Sequence, residues 1–478
     1  MRGLTLLSPL RIAPVHPIER PIYWPAVRPR TLTNNAVMST AAIRLRAIAT
    51  NQSARRALIA SWMGWMFDGY EAFALVLVMT PAVHQLLTAD RLPSASIYAG
   101  GLLAATQIGF AAGGVAAGVL ADYVGRRRTL MLSILCYAVF AGLTAMSWNY
   151  WSMLICRFFT GIGLGAEWGP GAALVAEFWP AASRGRAGGA LHAAYGVGLL
   201  VASGIWALLS LLGPSSWRLM FVIGILPAFL LLYVRRQVDE PALWIAANAD
   251  RREARKRLGS GGISPEDRAL VQFTLVHVLS NPMLRRRVAY LLLMSIASVV
   301  GFWSAAAWVP EYVAQVSAQT SGQSHLSASS AALIFSTGAI FGYIVLGLLA
   351  DTLGRKPTIW LYFLGALIVS LCLFLLAQDR YLLLMLVAAS GFFMSGQFSW
   401  MTIYLPELFP TRVRGTAMSL VFDSSRFIAG MGPLLAGWLI ASLGGIRTAA
   451  ATMSLIYLIG LIVTPFAGPE TKGRPLPT

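Results

Sequence analysis

The sequence predicts an all-α polytopic membrane protein, with twelve transmembrane helices arranged as two parallel six-helix pseudo-repeats and both termini cytoplasmic. Three observations predict it. Of 478 residues, 57% are hydrophobic and only 12% charged, with a mean hydropathy of +0.67, whereas a soluble domain carries roughly 25% charged residues. Apolar runs near the length of about 20 residues that spans a bilayer recur along the chain. Charged motifs reappear at one fixed offset.

The first 37 residues are rich in Pro and Arg (Pro14, Pro17, Pro21, Pro25, Pro29) and hold no apolar core of signal-peptide length. Met38 is therefore a candidate start, with a disordered but genuine tail over 1–37 as the other reading, and residues 1–56 form an N-terminal cytoplasmic tail. Six spans follow, near 57–82, 97–121, 129–147, 151–178, 187–212 and 218–234, and make an N-terminal half over 57–234. Glycines 109, 113, 114 and 118 give the second span small-residue faces for close packing. The fourth is thinned by glycines 161, 163, 165, 169 and 171 and interrupted by Pro170. A basic linker, 235–287, contains Asp250-Arg-Arg-Glu-Ala-Arg-Lys-Arg257 and reads as a surface helix near anionic lipid. The C-terminal half, 288–468, holds spans near 288–313, 329–350, 358–377, 381–405, 415–442 and 448–467, before a short tail, 469–478.

The net charge of +18 comes from 37 Lys and Arg against 19 Asp and Glu. With both termini cytoplasmic, 31 of the 37 basic residues fall on the cytoplasmic side, against Arg91, Arg218, Arg380 and Arg447 on the other and Arg157 and Arg426 within spans. The positive-inside rule then fixes the orientation. The charge records topology, so no nucleic-acid partner is expected. Cys136, Cys156 and Cys372 lie in apolar runs and lack metal-ligand spacing; no metal and no cofactor are expected, and the chain is expected to be a monomer.

Gly118-Val-Leu-Ala-Asp122-Tyr-Val-Gly125-Arg126-Arg127 recurs as Gly347-Leu-Leu-Ala-Asp351-Thr-Leu-Gly354-Arg355-Lys356. Glu177-Phe-Trp-Pro180-Ala-Ala-Ser-Arg184-Gly185 recurs as Glu407-Leu-Phe-Pro410-Thr-Arg-Val-Arg414-Gly415, and Glu240 is answered by Glu470. The offset, 229 or 230 residues, crosses an even number of spans, so both halves share one orientation. That is the parallel-repeat plan of a secondary transporter, with the substrate site near the midplane. Asp122 sits at a helix end, where it can accept from a neighbouring helix N-terminus or pair with Arg126.

Ionisable groups inside a bilayer cost about 2.5–3.5 kcal/mol each and mark function by default. Span 1 carries Asp68 and Glu71, span 4 Arg157 and Glu167, span 5 His192, and span 11 Asp423 and Arg426. At 1.5 Å per residue, Asp68 and Arg426 lie roughly 16 Å deep, near the middle of a core of about 30 Å. Each half is thus expected to aim an arginine and carboxylates at one place. Arginine binds carboxylates bidentately and keeps its charge, and a buried acid can load and release a proton. The pattern describes an organic-anion:proton symporter, with an Asp423–Arg426 ion pair that merely neutralises both residues as the plain alternative. Substrate contacts are expected from Arg157, Arg426, Tyr70, Trp168, Gln107 and Gln397, and proton coupling from Asp68, Glu71, Glu167 and Asp423. Aromatics such as Trp65, Trp303 and Phe398 either line a cavity for a ring-bearing acid or pack and belt the membrane.

Through these motifs the chain resembles, over about 57–470, the major facilitator superfamily. Gly118 to Arg128 resembles its signature between spans 2 and 3, and 347–357 the echo between spans 8 and 9. The resemblance implies a gating role for Gly118, Asp122, Gly125, Arg126, Asp351, Gly354, Arg355, Glu177, Arg184, Glu407 and Arg414. It also implies that spans 3, 6, 9 and 12, which carry no interior charge, face lipid. Asp68-Gly-Tyr-Glu71 resembles an element of aromatic-acid, sialate and lactate proton symporters, Gly165-Ala-Glu167-Trp168-Gly169 one of the sialate and monocarboxylate group, and Trp308-Val-Pro-Glu311-Tyr the end of span 7 in metabolite symporters. Two positions depart from the pattern: Ala166 replaces a glycine, and Asp423 stands where a neutral residue such as asparagine is usual.

An ATP-driven pump is excluded by the missing G-x-x-x-x-G-K-[ST] element, and an intramembrane hydrolase by the lack of H-E-x-x-H and G-x-S-x-G; the chain is not expected to be an enzyme. A sugar porter, a drug:proton antiporter and a non-transporting membrane sensor remain the other readings. In a bacterium the protein would sit in the inner membrane.

Overall fold

Where water is scarce, an apolar run must satisfy its backbone internally, which favours helices. Every regular element among the described residues is helical. The computed structural model describes residues 40–260, 264–305, 308–319, 328–377, 379–429, 439, 442–443 and 445–478; the candidate start at Met38 lies outside them. Residues Ile48–Thr478 fold as one unit.

The N-terminal set comprises α1 (Thr40–Leu86), α2 (Ala95–Val124), α3 (Arg126–Ala145), α4 (Tyr150–Phe178), α5 (Arg184–Leu209), α6 (Trp217–Ile223) and α7 (Pro227–Gln237). The linker forms α8 (Ala242–Gly259), α9 (Pro265–Val271) and α10 (Thr274–Ser280). The C-terminal set comprises α11 (Pro282–Ala305), α12 (Val309–Gln319), α13 (Ala328–Thr352), α14 (Arg355–Leu376), α15 (Arg380–Ser390), α16 (Ser399–Leu408), α17 (Arg414–Ala429), α18 (Ile446–Ser454) and α19 (Tyr457–Val463).

Ten helical segments among the described residues are long and apolar enough to cross a membrane, α6 with α7, α15 with α16 and α18 with α19 each counting once. Two of the expected twelve spans are not among them. Span 4 is the unbroken helix α4, whose Arg157, Glu167 and Glu177 dilute its apolar character. Span 11 is helical as α17 up to Ala429, and residues 430–438 lie outside the described part.

Small residues set the closest approaches, as expected where helices pack without a hydrophobic drive. A Cβ on Gly109 or Gly113 of α2 would overlap the Phe158 and Ile162 carbonyls of α4, and one on Gly161 or Gly165 would overlap Thr106 and Phe110 in return. Between the sets, Gly118 of α2 meets Gly415 of α17, and Gly185 and Gly189 of α5 meet Gly347 of α13. Rows of exposed apolar side chains mark α3 (Leu132, Leu135, Val139, Leu143), α7 (Phe229, Leu232), α14 (Trp360, Leu361, Ile368) and α19 (Leu458, Ile459, Ile462). These are the uncharged third, sixth, ninth and twelfth spans. The α15–α16 crossing leaves α geometry at its middle, with a π turn over Gly391–Ser395 and a 3₁₀ turn over Gly396–Phe398, a distortion that often accompanies functional positions.

Candidate functional site

Two tight helical hairpins share one end of the molecule. Gly125 joins α2 to α3 and Gly354 joins α13 to α14, with φ of 113° and 109°, a conformation that favours glycine. Just past each glycine the free N–H groups of a helix start meet a carboxylate. Glu240 accepts from the backbone of Arg126, Arg127 and Arg128, and Glu470 from that of Arg355 and Lys356. Burial lifts Glu240 above the ordinary glutamate range despite those donors. Burial also works against Glu470, but its N–H donors outweigh it and hold the carboxyl below that range.

The same end carries two matching charge networks. Arg126 donates to Asp122 at 3.1 Å and to Glu177 at 3.1 Å, and Glu177 also accepts from Arg414 at 2.5 Å. Arg355 donates to Asp351 at 3.0 Å and, through two nitrogens, to Glu407 at 3.0 and 2.9 Å, while Arg184 reaches Glu407 at 3.0 Å. Each aspartate also caps a helix of the opposite set. Asp122 accepts from the Gly415 and Thr416 N–H groups at the start of α17, and Asp351 from those of Gly185 and Arg186 at the start of α5. The ties that cross between the sets therefore come in pairs: Asp122 to α17 with Asp351 to α5, and Glu177–Arg414 with Glu407–Arg184.

Deeper in the bundle the charges are not symmetric. Glu71 of α1 pairs with Arg157 of α4 at 3.0 Å, and the guanidinium lies 5.2 Å from the centre of the Phe221 ring. Asp68, Glu167 and Asp423 are fully buried, and none of their oxygens has a hydrogen-bond partner. Glycines make room for two of them: a Cβ on Gly64 would overlap the Glu167 carboxylate, and one on Gly114 the Asp423 carboxylate. Arg426 donates to Gln107 at 3.2 Å and lies 3.8 Å from the Phe110 ring centre and 4.7 Å from that of Phe422. It makes no ion pair with Asp423. A cavity between the sets is lined by Arg426 with Trp65, His192, Tyr195, Phe302, Trp303, Tyr343, Phe398 and Phe422.

The structure thus divides the expected substrate residues. Arg426 and Gln107 meet beside the cavity, and Trp168 reaches its edge, its ring centre 4.1 Å from that of Phe422. Arg157, expected to converge with Arg426, instead stays inside the N-terminal set, because Glu71 supplies its counter-charge there. Tyr70 donates to the Met220 carbonyl at 2.8 Å and packs in that same set. Gln397 accepts from Ser298 at 3.1 Å in the C-terminal set. Of the expected acids, Asp68 is within electrostatic reach of both Glu167 and Arg426. The gating candidates all lie in the networks above or at their glycine turns and crossings.

Sequence reasoning missed Tyr195, Tyr343, Phe302 and Phe422 as cavity lining, since nothing local separates a cavity ring from a packed one. It also missed Arg218 and Arg447, which stand 229 residues apart. Arg218 donates to the carbonyls of Ala145 and Ser147 at the end of α3, and Arg447 to those of Phe374 and Leu375 at the end of α14. The repeat offset would have found this pair. The side chain of Glu311 lies outside the described residues, and no cluster with metal-ligating potential occurs among those described.

The Major Facilitator Superfamily profile matches residues 57–321 and 314–478. A putative metabolite transport protein of Haemophilus influenzae is 32% identical over 424 residues, covering 88% of this chain and 97% of the relative. A probable 4-methylmuconolactone transporter of Cupriavidus pinatubonensis is 28% identical, covering 87% of this chain and 90% of the relative. Among solved structures, a proton:xylose symporter superposes with a TM-score of 0.71 at 19% identity, covering 89% of this chain and 98% of the other; at that identity the likeness speaks for the fold alone. With repeated charge networks at one end, lone charges and an aromatic cavity inside, and this profile match over both halves, the chain belongs to the major facilitator superfamily of membrane transporters.

Proposed function

We propose that this transporter carries a small carboxylate metabolite together with protons, by alternating access across twelve helices, with the arginine-rich end in the cytoplasm. One observation carries the reading: Arg426, on the wall of an aromatic cavity between the two helix sets, has no carboxylate of the described residues within ion-pair distance. A guanidinium held by one amide and two ring faces keeps donors available for a substrate carboxylate. Gln107 orients it, and Trp168 borders the bound acid. Asp68 and Glu167, buried beside the cavity without hydrogen bonds, serve as the proton carriers, since binding an anion nearby alters the cost of ionising them. Glu71 and Arg157 support α1 against α4 from within the N-terminal set and act on substrate indirectly. Tyr70 and Gln397 hold helix positions on either side. The networks around Asp122, Glu177, Asp351 and Glu407 latch the cytoplasmic end, and the basic linker rests near anionic lipid. The Cupriavidus relative, described as a probable 4-methylmuconolactone transporter, supports a small organic metabolite as cargo.

The test is uptake by the reconstituted protein of a panel of lactate-, sialate- and benzoate-like acids with and without an inward proton gradient. An inward gradient is expected to accelerate uptake of at least one acid. Arg426→Ala is expected to cost about 3 kcal/mol of substrate interaction, a loss on the order of 100-fold. Uptake of a neutral sugar, with no acid driven by pH, would overturn the proposal.

A further inference from the structure

The seam between α2 and α17 is built one turn at a time. Asp122 of α2 accepts from the N–H groups of Gly415 and Thr416. One turn deeper, Gly118 lies against Gly415 and Ser419, and one turn deeper again, Gly114 lies against the carboxyl group of Asp423. Asp423 is 0% exposed and neither oxygen has a hydrogen-bond partner. It therefore sits on the same closing surface as the Asp122 tie, in a recess that exists because position 114 has no side chain.

The groups around Asp423 decide its charge state there. From α2 it faces a glycine, and the closest charged neighbour is Arg426, one turn along its own helix, which is turned onto Gln107 and the Phe110 and Phe422 rings. One turn back on α17 the Ser419 hydroxyl faces the carboxyl without closing a hydrogen bond to it; from α4, Gly169 approaches Ser419 and Trp168 covers Phe422, and α11 contributes the neutral Ser295 through Ser425. Asp68 and Glu167 are themselves acids and bring no compensating charge. A bare carboxylate buried without a paired cation or donor is far more costly than the neutral acid. Separation of α2 from α17 at the arginine-rich end would remove the wall formed by Gly114 and admit water.

We propose that Asp423 is a proton-operated gate residue: as the neutral acid it fills the recess at Gly114 and permits α2 and α17 to close, and on opening it gives its proton to water on the arginine-rich side. The step balances as a simple dissociation, with the carboxylic acid becoming carboxylate and the proton passing to solvent; closing takes one proton back. This rests on the alternating-access reading above but not on the identity of the cargo. It assigns Asp423 to the gate and leaves cargo coupling to Asp68 and Glu167.

The test uses the full chain in lipid nanodiscs, with Cys136, Cys156 and Cys372 replaced by serine and spin labels at Arg128 and Leu353, exposed positions of the N- and C-terminal sets at the arginine-rich end. Without substrate, raising the pH from about 5.5 to about 8.5 is expected to move at least tenfold of the closed:open ratio toward the longer distance, as one site titrating across more than one unit requires. Asp423→Asn, which mimics the neutral acid, is expected to stay closed over the whole range. Gly114→Ala places a methyl group in the recess and is expected to hold the end open at every pH, which keeps the idea testable if Asp423→Asn does not fold. A parent-like pH response in Asp423→Asn, or an unchanged distance distribution in Gly114→Ala, would refute the gate role. Failure of every acid in the uptake panel while the distance still titrates through Asp423 would instead sink the cargo assignment and leave this inference standing.

Discussion

Arg184→Met isolates one tie between the helix sets. Arg184 is buried and gives Glu407 a hydrogen bond of 3.0 Å, but Glu407 keeps two bonds from Arg355 and one from Thr471 at 2.6 Å. Its charge is therefore not orphaned when Arg184 goes. Arg184 also donates to the Ala176 carbonyl of its own set at 3.2 Å and, at 3.4 Å, to the Arg474 carbonyl; the loss between the sets is dominated by the charge-assisted bond to Glu407, about 2 kcal/mol, and is not the 3–5 kcal/mol of a broken buried pair. Arg355 and Glu407 belong to the same helix set, so their bonds survive separation of the sets. The cost thus falls on the closed state alone, and the closed:open ratio should drop roughly 30-fold. The assay is the alkylation rate of Thr402→Cys in a chain with its three native cysteines changed to serine; Thr402 is buried and donates to the Gly188 carbonyl of α5. When opening is rare and fast, that rate follows the open population. Methionine preserves much of the aliphatic bulk, which separates loss of the bond from loss of packing. A rate within about twofold of the parent would refute the claim that this contact holds the end closed.

Gly64→Ala should abolish uptake while leaving the protein in the membrane, because a Cβ there collides with the Glu167 carboxylate; uptake by variant and parent at matched surface quantity checks it. Removal of residues 472–478 deletes the Pro477 carbonyl, which accepts from Arg414 and Thr411, and the Arg474 carbonyl, which accepts from Arg184. Faster Thr402→Cys alkylation is the expected outcome, and an unchanged rate would separate the tail from the gate. His277 titrates in the linker: burial, aided by the Arg412 guanidinium, pushes it from 6.5 down to about 4. The folded chain then binds fewer protons than the unfolded one between those values, so this stabilisation is complete above 6.5 and is lost as pH falls toward 4. His277→Gln should flatten that part of a pH series of thermal unfolding midpoints.

Helix positions were legible because bilayer thickness dictates run length, and the predicted segments fall within a few residues of α2, α4 and α14. The charge networks were legible for a different reason. Asp122, Glu177 and Arg184 each have a partner at the repeat offset, and the structure shows each pair in matching contacts. Pairing across helices was not legible. Arg157 and Glu71 are 86 positions apart and sit on different spans, so local spacing gave no sign that they neutralise one another. Nor does the sequence reveal that Gly64 and Gly114 are recesses for acids, since the same residue type also permits backbone contact at Gly109 and Gly113.

The contrast between the repeated end and the unrepeated interior follows from what each must do. A latch that opens and closes gains from duplication: Asp122 on α17 and Asp351 on α5 make the same bonds in opposite directions, so closure engages both together. A recognition site gains from the reverse. The carboxylate cargo proposed for this chain is asymmetric, with one charged end and one apolar end, and two equivalent arginines facing a single cavity would favour two orientations equally. Arg157 is neutralised by Glu71 within the N-terminal set, which leaves Arg426 as the one guanidinium on the cavity wall among the described residues. Breaking the repeat at this depth gives the site a direction. It also fits the lack of an acidic counterpart to Asp423 across the matching α5–α13 seam, where the repeat offset lands on Ala193 and Ala194: one proton-sensitive recess suffices to bias a gate whose two latches already move as a pair.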